Sequence, residues 1–271
     1  MAQQADACDQ SLVRFLLTGS SGDLGKALVP ALKGHEVQAL ARNLPAPGEA
    51  GKVDVVLHMA GLRYDRARKA SEFAEANVGF TERLLSWLEQ SRIMPPPHFI
   101  FLSTMYVYGE RSQSMLAETS EPNPRTAYGA SKLAAEKKIA QACARLDIPF
   151  TILRLATVYG AGDDVLRQME RGFKKLFPFV IGDGAQERSM LSIEGFRRTI
   201  LAASGNPRWF GQTVNVADSQ PHRMFDLVER VAGGRRVRHL PRVLTMFSGK
   251  LARMNDSFLL DTAKLASLER D

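Results

Sequence analysis

The first two thirds of the chain alternate short apolar runs with longer amphipathic stretches, and this rhythm constrains the fold more than any other feature. Apolar runs stand at residues 13–17, 37–41, 53–58, 99–102 and 150–155. The run 53–58 is nearly continuous, as expected for a strand buried on both faces of a parallel sheet. Between the runs, residues 25–33, 70–90 and 128–146 read as helices. Leu84, Leu85 and Leu88 share a side of the second, and Leu133, Ile139 and Leu146 are apolar positions of the third. Pro95-Pro96-Pro97 separates two of these units. Strand and helix alternating in this way predict an α/β fold, a Rossmann-like doubly wound parallel sheet.

One connection is too short for that pattern. Residues 43–53 link the second and third runs and include Pro45, Pro47, Gly48 and Gly51, which break helix and strand. A crossover between parallel strands usually needs a dozen or more residues. A loop is therefore expected there, leaving the sheet short of one edge strand. After about residue 160 the texture changes to Gly- and Asp-rich loops, with strand-like pieces at 179–181 and 213–216. We expect residues 1–160 to form the domain built on this sheet. Residues 161–271 should form a smaller α+β substrate-binding region, interleaved with it at the C-terminal edge of the sheet. Ligands of open α/β sheets bind at that edge. Residues 240–264 are basic and apolar with no clear strand, either a helix of the smaller region or a partner surface.

Composition removes several classes. Of 271 residues, 45% are apolar, 24% charged and 8% aromatic, ordinary globular values. No apolar run approaches the ~20 residues of a membrane helix. Residues 1–10 are polar and lack a signal-peptide core. The two cysteines, Cys8 and Cys143, cannot build a disulfide framework or a tetrahedral zinc site. No metal is expected, Cys143 reads as a buried structural thiol, and the compartment as reducing and cytoplasmic. The net charge of +7 fits either an anionic small-molecule partner or solvated basic faces. The clusters Arg197-Arg198 and Arg235-Arg236-Val237-Arg238 are small and lack interleaved aromatics, so no nucleic-acid partner is expected.

Two local patterns carry chemistry. Thr18-Gly19-Ser20-Ser21-Gly22-Asp23-Leu24-Gly25 follows the first strand and opens a helix. Glycines there let backbone approach a diphosphate, and the helix N-terminus presents free N–H groups to it. The second strand ends Leu40-Ala41-Arg42-Asn43 with no acid to bond a ribose 2′-hydroxyl. An arginine at that place accommodates a 2′-phosphate, so NADP is favoured over NAD. Tyr128-Gly129-Ala130-Ser131-Lys132 puts a phenol and an ammonium on one helix face. A nearby cation favours the phenolate and suits the phenol to proton transfer near neutral pH. Upstream, Ser103-Thr104 ends a strand, where Thr104 can bond a substrate oxygen.

In order, the chain carries the GxxGxxG loop, Asp54-Val55-Val56-Leu57-His58-Met59-Ala60-Gly61, and Asn77-Val78-Gly79-Phe80-Thr81. Ser103-Thr104-Met105-Tyr106-Val107-Tyr108-Gly109, YxxxK and Leu153-Arg154-Leu155-Ala156-Thr157-Val158-Tyr159-Gly160 follow. Ile181-Gly182-Asp183-Gly184-Ala185-Gln186-Glu187-Arg188 and Val214-Asn215-Val216 complete the set. Over residues 13 to about 230 the chain resembles an extended short-chain dehydrogenase/reductase of the nucleotide-sugar epimerase/dehydratase family. That resemblance implies Tyr128 as acid/base, Lys132 holding the nicotinamide ribose and tuning Tyr128, and Thr104 as the third catalytic hydroxyl. It implies a dinucleotide held by Gly19, Ser21, Gly22, Asp23, Leu24 and Gly25, with Met59, Ala60, Gly61, Arg63, Ser103, Leu155 and Val158 lining it. Tyr106, Thr157 and Arg188 would join Thr104 at a nucleotide sugar, Arg188 on its diphosphate. It also implies a homodimer through helices 70–90 and 128–146.

Within the resemblance the chemistry stays open. The family's 4,6-dehydratases carry Thr-Asp-Glu where this chain has Thr104-Met105-Tyr106, and a thioether cannot transfer a proton. Epimerase and keto-sugar reductase remain. Arg42, the short 43–53 loop and Thr157 in place of an asparagine lean towards an NADP-dependent reductase. Leu62-Arg63 after Ala60-Gly61 leans towards the 4-epimerases. A reductase of a non-sugar ketone, or a dinucleotide-binding regulator without turnover, are the alternatives.

Overall fold

The structure is a computed structural model that describes residues 12–63, 69–109, 114–162, 165–243 and 257–270. Cys8 and the polar leader lie outside the described residues. The chain begins with β1 (Arg14–Thr18), α1 (Asp23–Leu28) continued by a 3-10 turn (Val29–Leu32), β2 (Glu36–Leu40) and β3 (Val55–His58). Next come α2 (Ala70–Phe73), a π-helical segment (Ala74–Gly79) and α3 (Phe80–Ser91). β4 (His98–Thr104), a 3-10 turn (Met105–Tyr108), α4 (Ala127–Arg145) and β5 (Phe150–Leu155) complete the first two thirds.

Side chains alternate across these strands. Phe15 and Leu17 enter one hydrophobic cluster and Leu16 the other, so the sheet is buried on both faces. The second cluster is closed by Leu84 and Leu88 of α3 and by Ala135, Ile139 and Cys143 of α4. Cys143 is a buried free thiol, pushed up to about 12 by burial. The six-stranded sheet, with β10 (Gln212–Val216) at one edge, runs β10-β5-β4-β3-β1-β2. All its pairings are parallel. The order reverses between β1 and β3, which opens the crevice where ligands of such sheets bind.

Residues 43–53 form no helix or strand. Ala50 and Val53 plug the second cluster, and Trp87 Nε1 of α3 donates to the Pro45 carbonyl at 2.8 Å. The loop thus closes the core itself, and β2 is the outer strand, exposed along its first four residues.

One expectation is corrected. Residues 213–216 belong to the main sheet, where β10 pairs in parallel with β5. The strand is too short for periodicity to assign it, and burial of Val214, Asn215 and Val216 decides its place. The remaining elements are β6 (Thr157–Tyr159), α5 (Val165–Lys175), β7 (Phe179–Ile181), β8 (Glu187–Arg188), β9 (Met190–Ser192) and α6 (Ile193–Ala203). After β10 come β11 (His222–Arg223), α7 (Met224–Ala232), β12 (Arg238–Leu240) and α8 (Ala263–Leu268). Here β6 pairs with β9, β8 with β11 and β7 with β12. Phe173, Val180, Met224 and Val228 form a separate small core. Leu240 closes β12, so the basic stretch 240–264 opens with a strand residue and ends with the first two residues of α8, while its residues 244–256 lie outside the described set. Among the described residues no helix is long and apolar enough to cross a membrane.

A buried ion pair locks α4 onto the sheet. Arg154 of β5 meets Glu136 of α4 at 2.7 Å, with their side chains 8% and 5% exposed. Ser103 donates to the same carboxylate, and Arg154 Nη1 donates to the Tyr108 hydroxyl at 2.9 Å. That hydroxyl donates to Asn215 Oδ1 of β10 at 2.8 Å. Removing one member strands the other charge, so Arg154→Ala should lower stability by about 3–5 kcal/mol in urea denaturation. The double change Arg154→Met with Glu136→Leu should recover much of that loss.

Candidate active site

The glycine loop is built by close approach. Gly19 has φ +76°, and a Cβ there would stand 2.7 Å from the Ala60 amide nitrogen. A Cβ on Gly25 would stand 2.4 Å from the Gly19 carbonyl oxygen, so the first turn of α1 can pack on the loop only without a side chain. At the head of α4, Thr126 Oγ1 caps the helix by accepting from the Gly129 N–H at 3.0 Å. A Cβ on Gly129 would lie 2.4 Å from the Tyr106 carbonyl oxygen. That contact presses the first turn of α4, with Tyr128, against the turn that follows Thr104. The Tyr128 ring is edge-on to Tyr106 at 6.3 Å and tilted against Phe73 at 5.8 Å.

Lys132 is buried, with Nζ 4.1 Å from the centre of the Phe101 ring. Burial pushes its ammonium down to about 7, opposed by the charge of Glu136 one turn along α4. A chain of buried polar groups holds the surrounding elements. The Ser131 hydroxyl donates to the Tyr128 carbonyl at 2.8 Å and accepts from Asn77 Nδ2 at 2.9 Å. Asn77 Oδ1 accepts from the Leu62 N–H at 2.6 Å, and its backbone carbonyl accepts from the Thr81 hydroxyl at 2.6 Å. With that proton committed, Thr81 accepts from His58 Nε2 at 2.8 Å, leaving Nδ1 to accept from the Thr18 hydroxyl at 2.7 Å. Thr18 Oγ1 in turn accepts from the Ala60 N–H at 3.1 Å. The ring is therefore neutral with its proton on Nε2.

A cavity of about 420 Å³ runs from the glycine loop to Tyr128 and Lys132. Its floor is the ends of β4 and β5 with Thr104 and Leu155, and Val165 and Gln168 of α5 form its far wall. Across the mouth Arg63 pairs with Asp23 at 2.5 Å.

A family model described as the NAD dependent epimerase/dehydratase family matches residues 15–217. The uncharacterized UDP-glucose epimerase YtcB of Bacillus subtilis (strain 168) is 30% identical over 226 residues, covering 80% of this chain and 68% of that protein. The chain belongs to the NAD-dependent epimerase/dehydratase family. Its fold matches the UDP-glucuronic acid 4-epimerase from Bacillus cereus in complex with NAD, with TM-score 0.73 and 20% identity over 94% of this chain and 92% of that one. It also matches RMD from Pseudomonas aeruginosa complexed with NADPH, with TM-score 0.67 and 23% identity over 85% and 88%.

Against the residues that the family resemblance implied, the cavity brings together Gly19, Gly22, Asp23, Leu24, Gly25, Met59, Gly61 and Arg63 on the cofactor side. Ser103, Thr104, Tyr106, Tyr128, Lys132, Leu155, Thr157 and Val158 line the rest. Ser21, Arg42, Ala60 and Arg188 are not part of its lining. Ser21 and Arg42 are exposed, Ala60 packs its backbone behind Gly19, and Arg188 lies on β8, paired with His222 of β11. Sequence reasoning gave no role to Asn77, Ser131, Phe101 or Gln168. Asn77 opens the stretch Asn77-Val78-Gly79-Phe80-Thr81, and Ser131 lies within YxxxK. Asn77 owes its aim to the wide turn of the π-helical segment, a feature frequent at functional sites. Among the described residues no group of three His, Cys, Asp or Glu side chains could hold a metal ion.

Two buried histidines set an acid limit on this family member. Burial lowers His58 to about 3, with Lys132 adding to the effect, and lowers His98 to about 4. Both fall below the ordinary 6.5, so the unfolded chain binds more protons once pH drops through 6.5. Stability should thus be full above pH 6.5 and fall by about 1.4 kcal/mol per pH unit per histidine towards pH 4. Urea midpoints at pH 7 and 5 measure this, and His98→Asn should reduce the slope.

Proposed function

We propose that this chain moves hydride between a carbon of a nucleotide sugar and a nicotinamide dinucleotide, with Tyr128 as the acid/base. The observation that carries this reading is the convergence of Thr104, Tyr128 and Lys132 with the glycine loop in one cavity. The cavity fits such a cofactor. Gly22 leaves the first-turn N–H groups of α1 uncovered, and a Cβ at Gly61 would fill the space 2.8 Å from Asn77 Oδ1. Gly19, Gly22 and Leu24 would hold the diphosphate, and Met59, Gly61, Leu155 and Val158 the nicotinamide end. When bound, the nicotinamide supplies the hydride acceptor and donor.

The protein's own groups handle the proton. The Tyr128 phenolate takes it from the sugar hydroxyl, and the resulting phenol returns it to a ketone oxygen in the reverse direction, while Thr104 Oγ1 orients that oxygen. Lys132 stabilises the phenolate by its charge. The Phe101 face and Glu136 favour its ammonium form against the cost of burial. Met105, buried beside Thr104, offers no proton for water elimination, so dehydration is outside this reading.

Two finer readings divide on cofactor exchange. The loop 43–53 leaves no strand beyond β2 to clamp an adenine, and Arg42 at the end of β2 makes no ion pair among the described residues. Both favour an exchanging NADP(H) and reduction of a keto-sugar. Likeness to a UDP-glucose epimerase favours a retained cofactor and epimerisation. The faces of α3 and α4, already cross-linked by Glu82–Lys138 and Glu89–Arg145, are where we place a homodimer contact.

Identifying the nucleotide released on denaturation separates the two. An empty site with NADPH at least tenfold tighter than NADH, about 1.4 kcal/mol, and reversed by Arg42→Asp, is expected. Stoichiometric NAD(H) would instead establish the epimerase reading. In either case Tyr128→Phe should keep dinucleotide affinity and lower turnover by roughly 10²–10⁴-fold. Unchanged turnover would refute the role of Tyr128.

A further inference from the structure

We propose that the corner formed by the C-terminal half of α5 and the approach to β12 is a docking surface for an anionic lipid bilayer. Two segments distant in sequence meet there. Between residues 165 and 177 stand Arg167, Arg171, Lys174 and Lys175 with one carboxylate, Glu170. Between 233 and 240 stand Arg235, Arg236 and Arg238 with none. The fold fastens them together. β12 pairs with β7, Arg235 Nη1 donates to the Phe173 carbonyl at 2.8 Å, and Arg238 lies 4.3 Å over the Phe177 ring. Glu170 is neutralised from within, bonded by Lys174 at 2.8 Å and held below the usual carboxylate range first by that bond and further by Arg167 and Arg235. Neighbouring α7 carries Asp226 and Glu229, with Arg230 and the preceding Arg223 beside them, so the excess of positive charge stands.

The apolar component selects the partner. Leu176, which follows Lys174 and Lys175 at the end of α5, is 69% exposed. That combination suits the headgroup boundary of an anionic leaflet, which takes up apolar side chains and attracts basic ones. A single-stranded nucleic acid would use exposed aromatic faces for stacking. Here Phe177 is covered by Arg238 and Phe173 is buried. The N-terminal end of the same helix lines the catalytic cavity through Val165 and Gln168, so docking would hold the cavity close to the bilayer surface.

The test is co-sedimentation of the full chain with vesicles of phosphatidylcholine, alone or mixed with phosphatidylglycerol. Binding to the mixed vesicles only, released by high salt, is expected. The double variant Lys175→Glu with Arg236→Glu should weaken it at least about tenfold. Both side chains are exposed and remote from the cavity, so the fold and dinucleotide binding should be unchanged. Leu176→Ala should weaken binding to vesicles as well. Equal binding to neutral vesicles, or undiminished binding by the double variant, overturns the assignment. So does a preference for a duplex or single-stranded oligonucleotide that ignores Leu176→Ala.

Discussion

The site depends on one buried constraint, the neutral His58 side chain between Thr18 and Thr81. Its two ring nitrogens bond β1 on one side and α3 on the other, at 2.7 and 2.8 Å. Through Asn77 and Ser131 the same chain of bonds reaches the carbonyl of Tyr128. The crevice between β1 and β3, the π-helical segment and the head of α4 are thereby set relative to one another. Such a network is strong only while every member is satisfied. Here each hydroxyl and ring nitrogen has a partner.

A second device works from the other side of α4. Glu136 accepts from Ser103 and Arg154 and lies one helical turn from Lys132. One carboxylate thus fastens α4 to β4 and β5 and lends a negative charge to a lysine that burial would otherwise neutralise. Paired in this way the carboxylate is tolerable in the core, whereas alone it would be costly. Positioning and electrostatics are therefore the work of the same few atoms.

Much of this was legible in the chain. The continuous apolar runs alternating with helical stretches and the breakers in residues 43–53 specify a parallel sheet and a missing edge strand, because burial on two faces and steric exclusion are local properties. The glycine loop and YxxxK were visible because close approach and one-face spacing leave their mark in residue type. By contrast, β10 could not be assigned to the sheet from five residues, since what identifies it is the partner strand β5. Asn77 was visible as a motif and silent as a function, since its aim depends on a π turn that no residue type announces. Arg188 carried a family-based expectation and Arg42 one from its place after β2, and neither lines the cavity; for Arg188, reach across a cleft depends on how the smaller region sits and not on spacing along the chain.

The basic clusters show the same division. Along the chain Arg235, Arg236 and Arg238 are a small group with no aromatic neighbours; in space Arg235 bonds the Phe173 carbonyl of α5 and Arg238 lies over the Phe177 ring. The sequence alone determined the layered α/β architecture, the phosphate-type loop, the phenol–ammonium pair and the loss of a crossover, because each follows from periodicity, backbone freedom or spacing within one element. Only the tertiary structure decided the neutrality of His58, the burial of Lys132, the closure of Arg63 on Asp23 and the assembly of a charged corner. Each of these depends on the solvent exclusion and distances created when segments far apart in sequence pack together.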